Sequence, residues 1–153
     1  MMKIELITKT QHMARTLLEI YDSANHLHGD DGAPGDEEHF YEIADTHDIL
    51  FAMENNRPIA FLSTTSARKY IFISANYVHK DFQNKGIASQ LMNELKTRNP
   101  GSVIWCKLLN YAPWAIKFYT KHGLSFIPQD SPLDSELGNP TKDEPWCALY
   151  ATS

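Results

Sequence analysis

The stretch that decides the fold is residues 77–91, YVHKDFQNKGIASQL. It joins a strand-like run, residues 70–78, to an amphipathic helix in which every fourth residue from Ile87 to Leu95 is apolar. The start of a helix presents unpaired N–H groups and a partial positive charge, which favour an anion. Gly86 stands at that start and has no Cβ to keep a ligand from the backbone. The turn therefore predicts a diphosphate site.

Taken alone, the turn also fits a purely structural glycine. It lacks the GxGxxG pattern of a dinucleotide fold and the GxxxxGK[ST] pattern of a phosphate-binding loop. The neighbouring residues favour an anion: Lys80 and Lys85 add positive charge, Ala88 is small, and Ser89 offers a hydroxyl.

Working outward, hydrophobic periodicity and turn residues predict an α/β chain with helices on both faces of a mixed sheet. Strands are expected over residues 2–7, 49–53, 59–65, 70–78, 102–106, 124–127 and 145–150. Helices are expected from a cap at Thr10 to Ala24, from Asp36 to Asp45, from Ile87 to the Asn99-Pro100-Gly101 turn, and from Pro113 to Gly123. The loops are residues 29–35 and 129–144.

Two motifs make this chain resemble the GCN5-related N-acetyltransferase (GNAT) superfamily. Gln83, Gly86 and Ala88 match the acetyl-CoA-binding pattern Q/R-x-x-G-x-G/A. Further along, residues 110–124, NYAPWAIKFYTKHGL, resemble the pattern N-x-x-A-x-x-F-Y-x-x-x-G-F. The resemblance implies one domain over residues 1–153, with a mostly antiparallel central sheet of about seven strands flanked by about four helices. It also implies an enzyme that uses acetyl-CoA and needs no metal.

The resemblance assigns roles to particular residues. The loop whose amides would hold the diphosphate of CoA comprises Gln83, Asn84, Lys85, Gly86, Ile87, Ala88 and Ser89. The pantetheine arm would be bound by Tyr77, Val78, His79 and Asn110. Tyr119 would lie near the thioester and act as the general acid, and the N–H near Val78 would bind the oxyanion.

The sequence departs from the family pattern in three places. Lys80 stands where proline is usual, and Leu124 replaces the usual phenylalanine. The strand at residues 70–78 contains no Asp or Glu, although many relatives carry a general-base carboxylate there. The base is therefore left open among four candidates, which are Glu37, Glu38, His39 and His79.

The charge distribution gives an indication of the substrate. Residues 16–56 hold 11 Asp or Glu and no Lys or Arg, whereas residues 68–121 hold nine Lys or Arg against Asp81 and Glu94. In GNAT enzymes the first two helices and their loop flank the acceptor site, so this region would attract a cationic amine. Its acidic residues there are Asp30, Asp31, Asp36, Glu37 and Glu38. A solvated acidic surface explains the same residues equally well.

The remaining composition sets limits on the class of protein. A net charge of -5 argues against nucleic acid as a partner. The chain has neither an apolar run of roughly 20 residues nor a signal-peptide core, which predicts no membrane partner and a cytoplasmic location. Cys106 and Cys147 lie in apolar surroundings and are expected to be buried thiols, with a catalytic cysteine as the alternative. The seven histidines show no convincing metal-ligand spacing, although His26 and His28 precede Asp30 and Asp31.

Three functions remain open. The first is acetylation of a small-molecule amine, and the second is acetylation of a protein or peptide amine. The third is a non-catalytic acyl-CoA-binding module, which the missing strand carboxylate keeps open. Homodimers are frequent in the family, so a homodimer is also an open expectation.

Overall fold

The computed structural model describes residues 2–8, 13–25, 37–109, 113–128, 132 and 146–152. The strands are β1 (Met2–Thr8), β2 (Asp48–Glu54), β3 (Arg57–Ala67), β4 (Tyr70–Val78), β5 (Val103–Leu109), β6 (Ser125–Phe126) and β7 (Trp146–Thr152). The helices are α1 (Ala14–Asn25), α2 (Glu37–Thr46), α3 (Ile87–Arg98) and α4 (Pro113–Lys121), with a short 3-10 helix at Lys80–Phe82. The predicted cap at Thr10 and most of the two predicted loops lie outside the described residues.

The seven strands follow the order β1-β2-β3-β4-β5-β7-β6. The pairs β1–β2, β2–β3, β5–β7 and β6–β7 are antiparallel, and β4 pairs with β5 in parallel through residues 70–73. The predicted fold class, a mixed and mostly antiparallel sheet of about seven strands with about four helices, is therefore confirmed.

The chain divides into two compact units. The first comprises Met1–Thr65 and Ser74–Arg98, and the second comprises Ser66–Ile73 and Asn99–Ser153. The expectation of one domain across the whole chain stays a prediction.

The core of the first unit lies where α1 and α2 cover one face of β2 and β3. Its buried residues are Ala14, Leu17, Ile20, Phe40, Ile43, Ala44, Ile49, Phe51 and Phe61. One face of α1 supplies this core, since Leu17, Ile20 and Ala24 are buried and Tyr21 packs against the cluster. Burial of each large side chain contributes about 1.5–3 kcal/mol to stability.

The opposite face of the same strands packs against α3. Leu50 and Ala52 alternate with the core residues of β2 and are also buried, and α3 contacts β2. The predicted apolar face of α3 is confirmed, because Ile87, Leu91 and Leu95 are all buried. Packing on this face fixes the position of the helix start at Gly86.

The pairing of β3 with β4 contains a one-residue irregularity. Ser63 and Ser74 are cross-strand neighbours with their Oγ atoms 2.7 Å apart, and Phe61 and Tyr77 are neighbours with ring centroids 5.9 Å apart. The two positions are two residues apart in sequence on β3 (61 and 63) but three residues apart on β4 (74 and 77). The extra residue is a β-bulge, a feature that bends a strand and redirects its side chains. The sequence did not predict it.

The second unit is built on β5 and β7, whose register pairs Cys106 with Leu149. Its helix α4 ends at Gly123, which has φ +88°. The N–H of Gly123 donates to Thr120 O at 3.0 Å, and the N–H of Leu124 donates to Tyr119 O at 3.0 Å. This pair of bonds is a Schellman motif, so the predicted end of α4 at Gly123 is confirmed.

Candidate functional site

The connection from β4 to α3 is more ordered than the loop expected from the sequence. The 3-10 helix at Lys80–Phe82 begins after His79, whose Nδ1 accepts the N–H of Asp81 at 3.2 Å. The N–H of Phe82 donates to His79 O at 2.9 Å, which closes the turn. These two hydrogen bonds fix the backbone conformation of the segment that leads to Gly86.

Two further bonds fasten this segment to the rest of the first unit. Gln83 Nε2 donates to the carbonyl oxygen of Val78 at 3.0 Å, which ties the turn to the end of β4. The N–H of Lys80 donates to Ser23 Oγ at 3.2 Å, which ties it to α1. Gln83, predicted as the first residue of the phosphate pattern, therefore supports the loop through its side chain.

The turn itself uses the left-handed backbone region twice. Asn84 has φ 62° and Gly86 has φ 75°. The first helical bond of α3 runs from Gln90 N to Gly86 O at 3.0 Å, so Gly86 caps the helix. The N–H groups of the next residues, Ile87 and Ala88, lie in the first turn, where an α-helix offers no intrahelical acceptor.

The space beside Gly86 is suited to a ligand. A Cβ added to Gly86 would meet no atom of the described residues within 4 Å, so a side chain there would extend into open space. Lys80 and Lys85 are exposed nearby in sequence, and Lys85 Nζ lies 5.5 Å from the ring centroid of Phe82. An open helix start with cationic neighbours fits the diphosphate of CoA.

The three residues at the end of β4, Tyr77, Val78 and His79, differ in how their backbone groups and side chains are oriented toward a ligand. The N–H of His79 donates to Ile59 O at 2.8 Å, so that amide is already used in pairing with β3. Backbone groups alternate in direction along a strand, so the Val78 peptide faces away from β3. Tyr77 places its ring 5.0 Å from that of Tyr21. Of the three residues, Val78 is therefore the one whose backbone N–H points away from β3, as hydrogen bonding to a ligand beyond β4 requires.

Tyr119 belongs to the second unit and lies on α4. Its side chain is only 7% exposed, and its ring centroid is 5.0 Å from that of Phe118. The backbone carbonyl of Tyr119 accepts the N–H groups of His122 and Leu124 at the helix end. The ring contact with Phe118 restricts the Tyr119 side chain, and the backbone bonds fix the end of the helix that carries it. Both a packing role and a proton-transfer role are compatible with this placement.

Several predicted site residues lie beyond what the structure describes. Asp30, Asp31 and Asn110 are outside the described residues, and so is the side chain of Glu37. Glu38 is exposed on α2. Of the other candidate bases, His39 is exposed on α2, and His79 uses its Nδ1 to accept a backbone N–H.

The cysteines do not have the character of nucleophiles. Both are free thiols, Cys106 buried and Cys147 half-buried. Burial raises the pKa of Cys106 to about 12, with nearby Cys147 as a smaller cause. Burial also raises the pKa of Cys147. A thiol is reactive as the thiolate, so neither is activated at neutral pH.

The described residues show neither a cluster of metal-ligating side chains nor a membrane-spanning helix. No group of three or more His, Cys, Asp or Glu within them is arranged to hold a metal ion. None of the helices in the described ranges is long and apolar enough to cross a membrane.

Sequence reasoning missed one polar residue of β4. Asn76 lies in the segment with the extra residue, and its Oδ1 is buried without a hydrogen-bond partner among the described residues. The available indication was a lone amide side chain between Ala75 and Tyr77 in an otherwise apolar strand.

Comparison with known proteins identifies the family. Residues 45–123, just over half of the chain, match the family model of the acetyltransferase (GNAT) domain. The chain therefore belongs to the GNAT acetyltransferase family. No curated protein matches the sequence.

Solved structures with the same fold cover nearly the whole chain. The ribosomal-protein-S18-alanine N-acetyltransferase of Escherichia coli is 18% identical, with a TM-score of 0.68 over 98% of this chain and 91% of that one. An IAA acetyltransferase from Bacillus cereus is 15% identical, with a TM-score of 0.70 over 100% of both. The PaiA N-acetyltransferase of Thermoplasma acidophilum, solved with coenzyme A, is 13% identical, with a TM-score of 0.65 over 99% of both. At these identities the likeness establishes the fold.

Proposed function

We propose that this protein transfers the acetyl group of acetyl-CoA to the primary amine of a small, cationic acceptor. The observation that carries the proposal is Gly86, a helix-capping glycine in the left-handed region with open space beside it. Membership of the GNAT family makes acetyl-CoA the ligand to test at that position.

The loop residues divide the work of holding the cofactor. The backbone N–H groups from Gly86 to Ser89 would bind the diphosphate oxygens, while Lys80 and Lys85 supply positive charge. Gln83 holds the loop against Val78, and the buried side chain of Ile87 anchors the helix start. Binding of a diphosphate here would use main-chain amides and a residue without Cβ, and the segment from Gly86 to Ser89 contains both.

The chemistry is a direct acyl transfer. The nitrogen of a neutral amine attacks the thioester carbonyl carbon, the C–S bond breaks, and the CoA thiolate leaves. The Val78 N–H is assigned to the oxyanion and the Tyr119 phenol to protonation of the thiolate. A base removes the ammonium proton, with Glu38 the exposed acidic candidate on α2. Holding both reactants together supplies much of the acceleration.

The acceptor class follows from charge. The acidic residues between Thr16 and Asn56 favour a cation, as in a polyamine, an aminoglycoside or a basic peptide. A small molecule is the favoured acceptor, and Asp30, Asp31, Glu37 and Glu38 are its assigned contacts.

The test is release of free thiol from acetyl-CoA in the presence of polyamines, aminoglycosides, amino acids and basic peptides. We expect turnover with a polycation, weakening as salt screens the attraction. Turnover only with peptides would replace the small molecule by a protein acceptor. CoA binding without thiol release from any amine would favour the non-catalytic module, which the absence of Asp and Glu from β4 makes a specific alternative.

A further inference from the structure

A chain of two hydrogen bonds joins the end of α1 to the segment that leads to Gly86. The N–H of Lys80 donates to Ser23 Oγ at 3.2 Å. The hydroxyl of Ser23 donates in turn to the carbonyl oxygen of Ile20 at 2.9 Å. Because the hydroxyl uses both its donor and an acceptor site, its direction is set at both ends. Ser23 thus connects the backbone of the 3-10 helix to the backbone of α1.

The part of α1 that makes this connection is firmly supported. Ile20 and Ala24 are 2% and 1% exposed, so the turn that carries Ser23 is held in the core. The ring of Tyr21 also packs edge-on against that of Tyr77 on β4, with centroids 5.0 Å apart. Helix α1 therefore contacts the connection from β4 to α3 at two points, one at the end of the strand and one at the start of the 3-10 helix.

The backbone at Lys80 has the geometry of a proline-containing turn. His79 has φ -54° and ψ 140°, the extended conformation to which a following proline restricts a residue. Lys80 is the first residue of the 3-10 helix, a position that suits the fixed φ of proline. A lysine there has no ring to restrict its φ, but it keeps the N–H that proline lacks. The bond from that N–H to Ser23 restrains the turn instead, at a position where the family pattern has proline.

We propose that Ser23 is a positioning residue of the cofactor site, which holds the turn at residues 80–86 in its CoA-binding conformation through the N–H of Lys80. This inference rests on the proposed function, because it requires CoA to bind at Gly86. Without the bond, the turn would spend part of its time in other conformations. The apparent affinity for CoA would then fall in proportion to the fraction of molecules with the competent turn. The role assigned to Ser23 needs no contact with CoA.

The first experiment measures Kd for CoA by titration calorimetry and the melting temperature of the ligand-free protein. In Ser23→Ala we expect Kd to rise roughly 2- to 10-fold, the effect of losing one net hydrogen bond. Ser23→Thr keeps the hydroxyl and should bind CoA nearly as tightly as the wild type does. Ser66→Ala changes an exposed serine on β3 and is the matched control, which should leave Kd unaltered. If Ser23 had a structural role alone, its loss would change the melting temperature and not Kd.

The second experiment repeats Ser23→Ala in two backgrounds that separate the N–H of Lys80 from its charge. Lys80→Pro removes the N–H and supplies the ring restraint, so Ser23→Ala should there have no effect on Kd. Lys80→Ala removes the charge but keeps the N–H, so Ser23→Ala should there raise Kd by the same factor as in the wild type. Since both backgrounds lack the ammonium group, a difference between them reports the hydrogen bond.

If Ser23→Ala binds CoA as tightly as the wild type does, the inference is overturned and the proposed function stands. The same rise in Kd in the Lys80→Pro background as in the Lys80→Ala background would also overturn it, because the hydroxyl would then act without the N–H. If the wild type does not bind CoA, the proposed function fails and the inference fails with it.

Discussion

The carboxamide of Gln83 donates a hydrogen bond from Nε2 to the carbonyl oxygen of Val78, 3.0 Å away and five residues earlier in the chain. A side chain here satisfies the last carbonyl of β4 and at the same time closes the turn that leads to Gly86. The glutamine of the acetyl-CoA-binding pattern thus forms a hydrogen bond with the backbone of its own loop. This explains why a long side chain with an amide donor suits the position.

Gln83→Leu removes that donor while keeping a side chain of similar size. We expect Kd for CoA to rise roughly 2- to 10-fold, because a net hydrogen bond contributes about 0.5–1.5 kcal/mol. Titration calorimetry measures the change. The control is Gln90→Leu, an exposed position on α3 that should leave affinity unaltered. Equal affinities for the two variants would exclude a supporting role for Gln83.

Gly86→Trp should abolish CoA binding, because the indole would occupy the open space beside the helix start. Gly101→Trp is the matched control, since Gly101 also has a left-handed φ, +80°, and open space around its Cβ position. Both variants should lose about 1–2 kcal/mol of stability from backbone strain. Only the change at Gly86 should affect the cofactor. Normal CoA binding by Gly86→Trp would refute the site.

Tyr119→Phe tests the assigned general acid. We expect turnover with the best acceptor from the thiol-release panel to fall about 100-fold or more, the typical contribution of a positioned acid. CoA affinity should change little, because the aromatic ring that packs against Phe118 is kept. Tyr70→Phe on β4 serves as the control for loss of a phenol. Unaltered turnover would leave Tyr119 as a packing residue.

The burial of the Cys106 thiol leads us to expect a specific response to thiol reagents and to pH. Iodoacetamide should label Cys106 only after unfolding, since burial raises its pKa to about 12 from an ordinary value of 9.0. The folded state holds the proton more tightly than the unfolded state. The stability from the neutral thiol is therefore present below pH 9 and lost as pH rises toward about 12.

Urea unfolding of the wild type and Cys106→Val, followed upward from about pH 8, measures this dependence. The wild type should lose stability more steeply than the variant. Parallel curves, or rapid labelling of Cys106 in the native protein, would contradict the buried environment.

Most elements were predictable because their local patterns agree with their packing. Strand β4 was predicted over residues 70–78 and is found at Tyr70–Val78, since aromatic and β-branched residues continue through it. Helix α3 was predicted from Ile87, where the apolar repeat follows a glycine. The end of α4 followed from Gly123, the kind of residue that a left-handed cap requires.

The features that sequence reasoning missed depend on pairing between distant residues. A bulge is recognised by comparing the number of residues on one strand with the number on its partner. The register of the two strands, fixed here by the contact of Ser63 with Ser74, must therefore be known first. The bond from Gln83 to Val78 likewise needs the turn to be formed first. The roles of Asp30, Asp31, Glu37 and Asn110 stay predictions.

The extra residue in β4 has a consequence for any comparison of this chain with its relatives. Side chains alternate along a strand, yet Ser74 and Tyr77, three positions apart, lie on the same side of the sheet. The side chains before the irregularity therefore alternate in the opposite phase to those after it. Aligning this strand with one that lacks the extra residue requires a gap, because an ungapped alignment would exchange the two faces of the sheet. A chimera that joins the β3–β4 hairpin of one relative to the phosphate turn of another must therefore inherit both ends of β4 from the same parent.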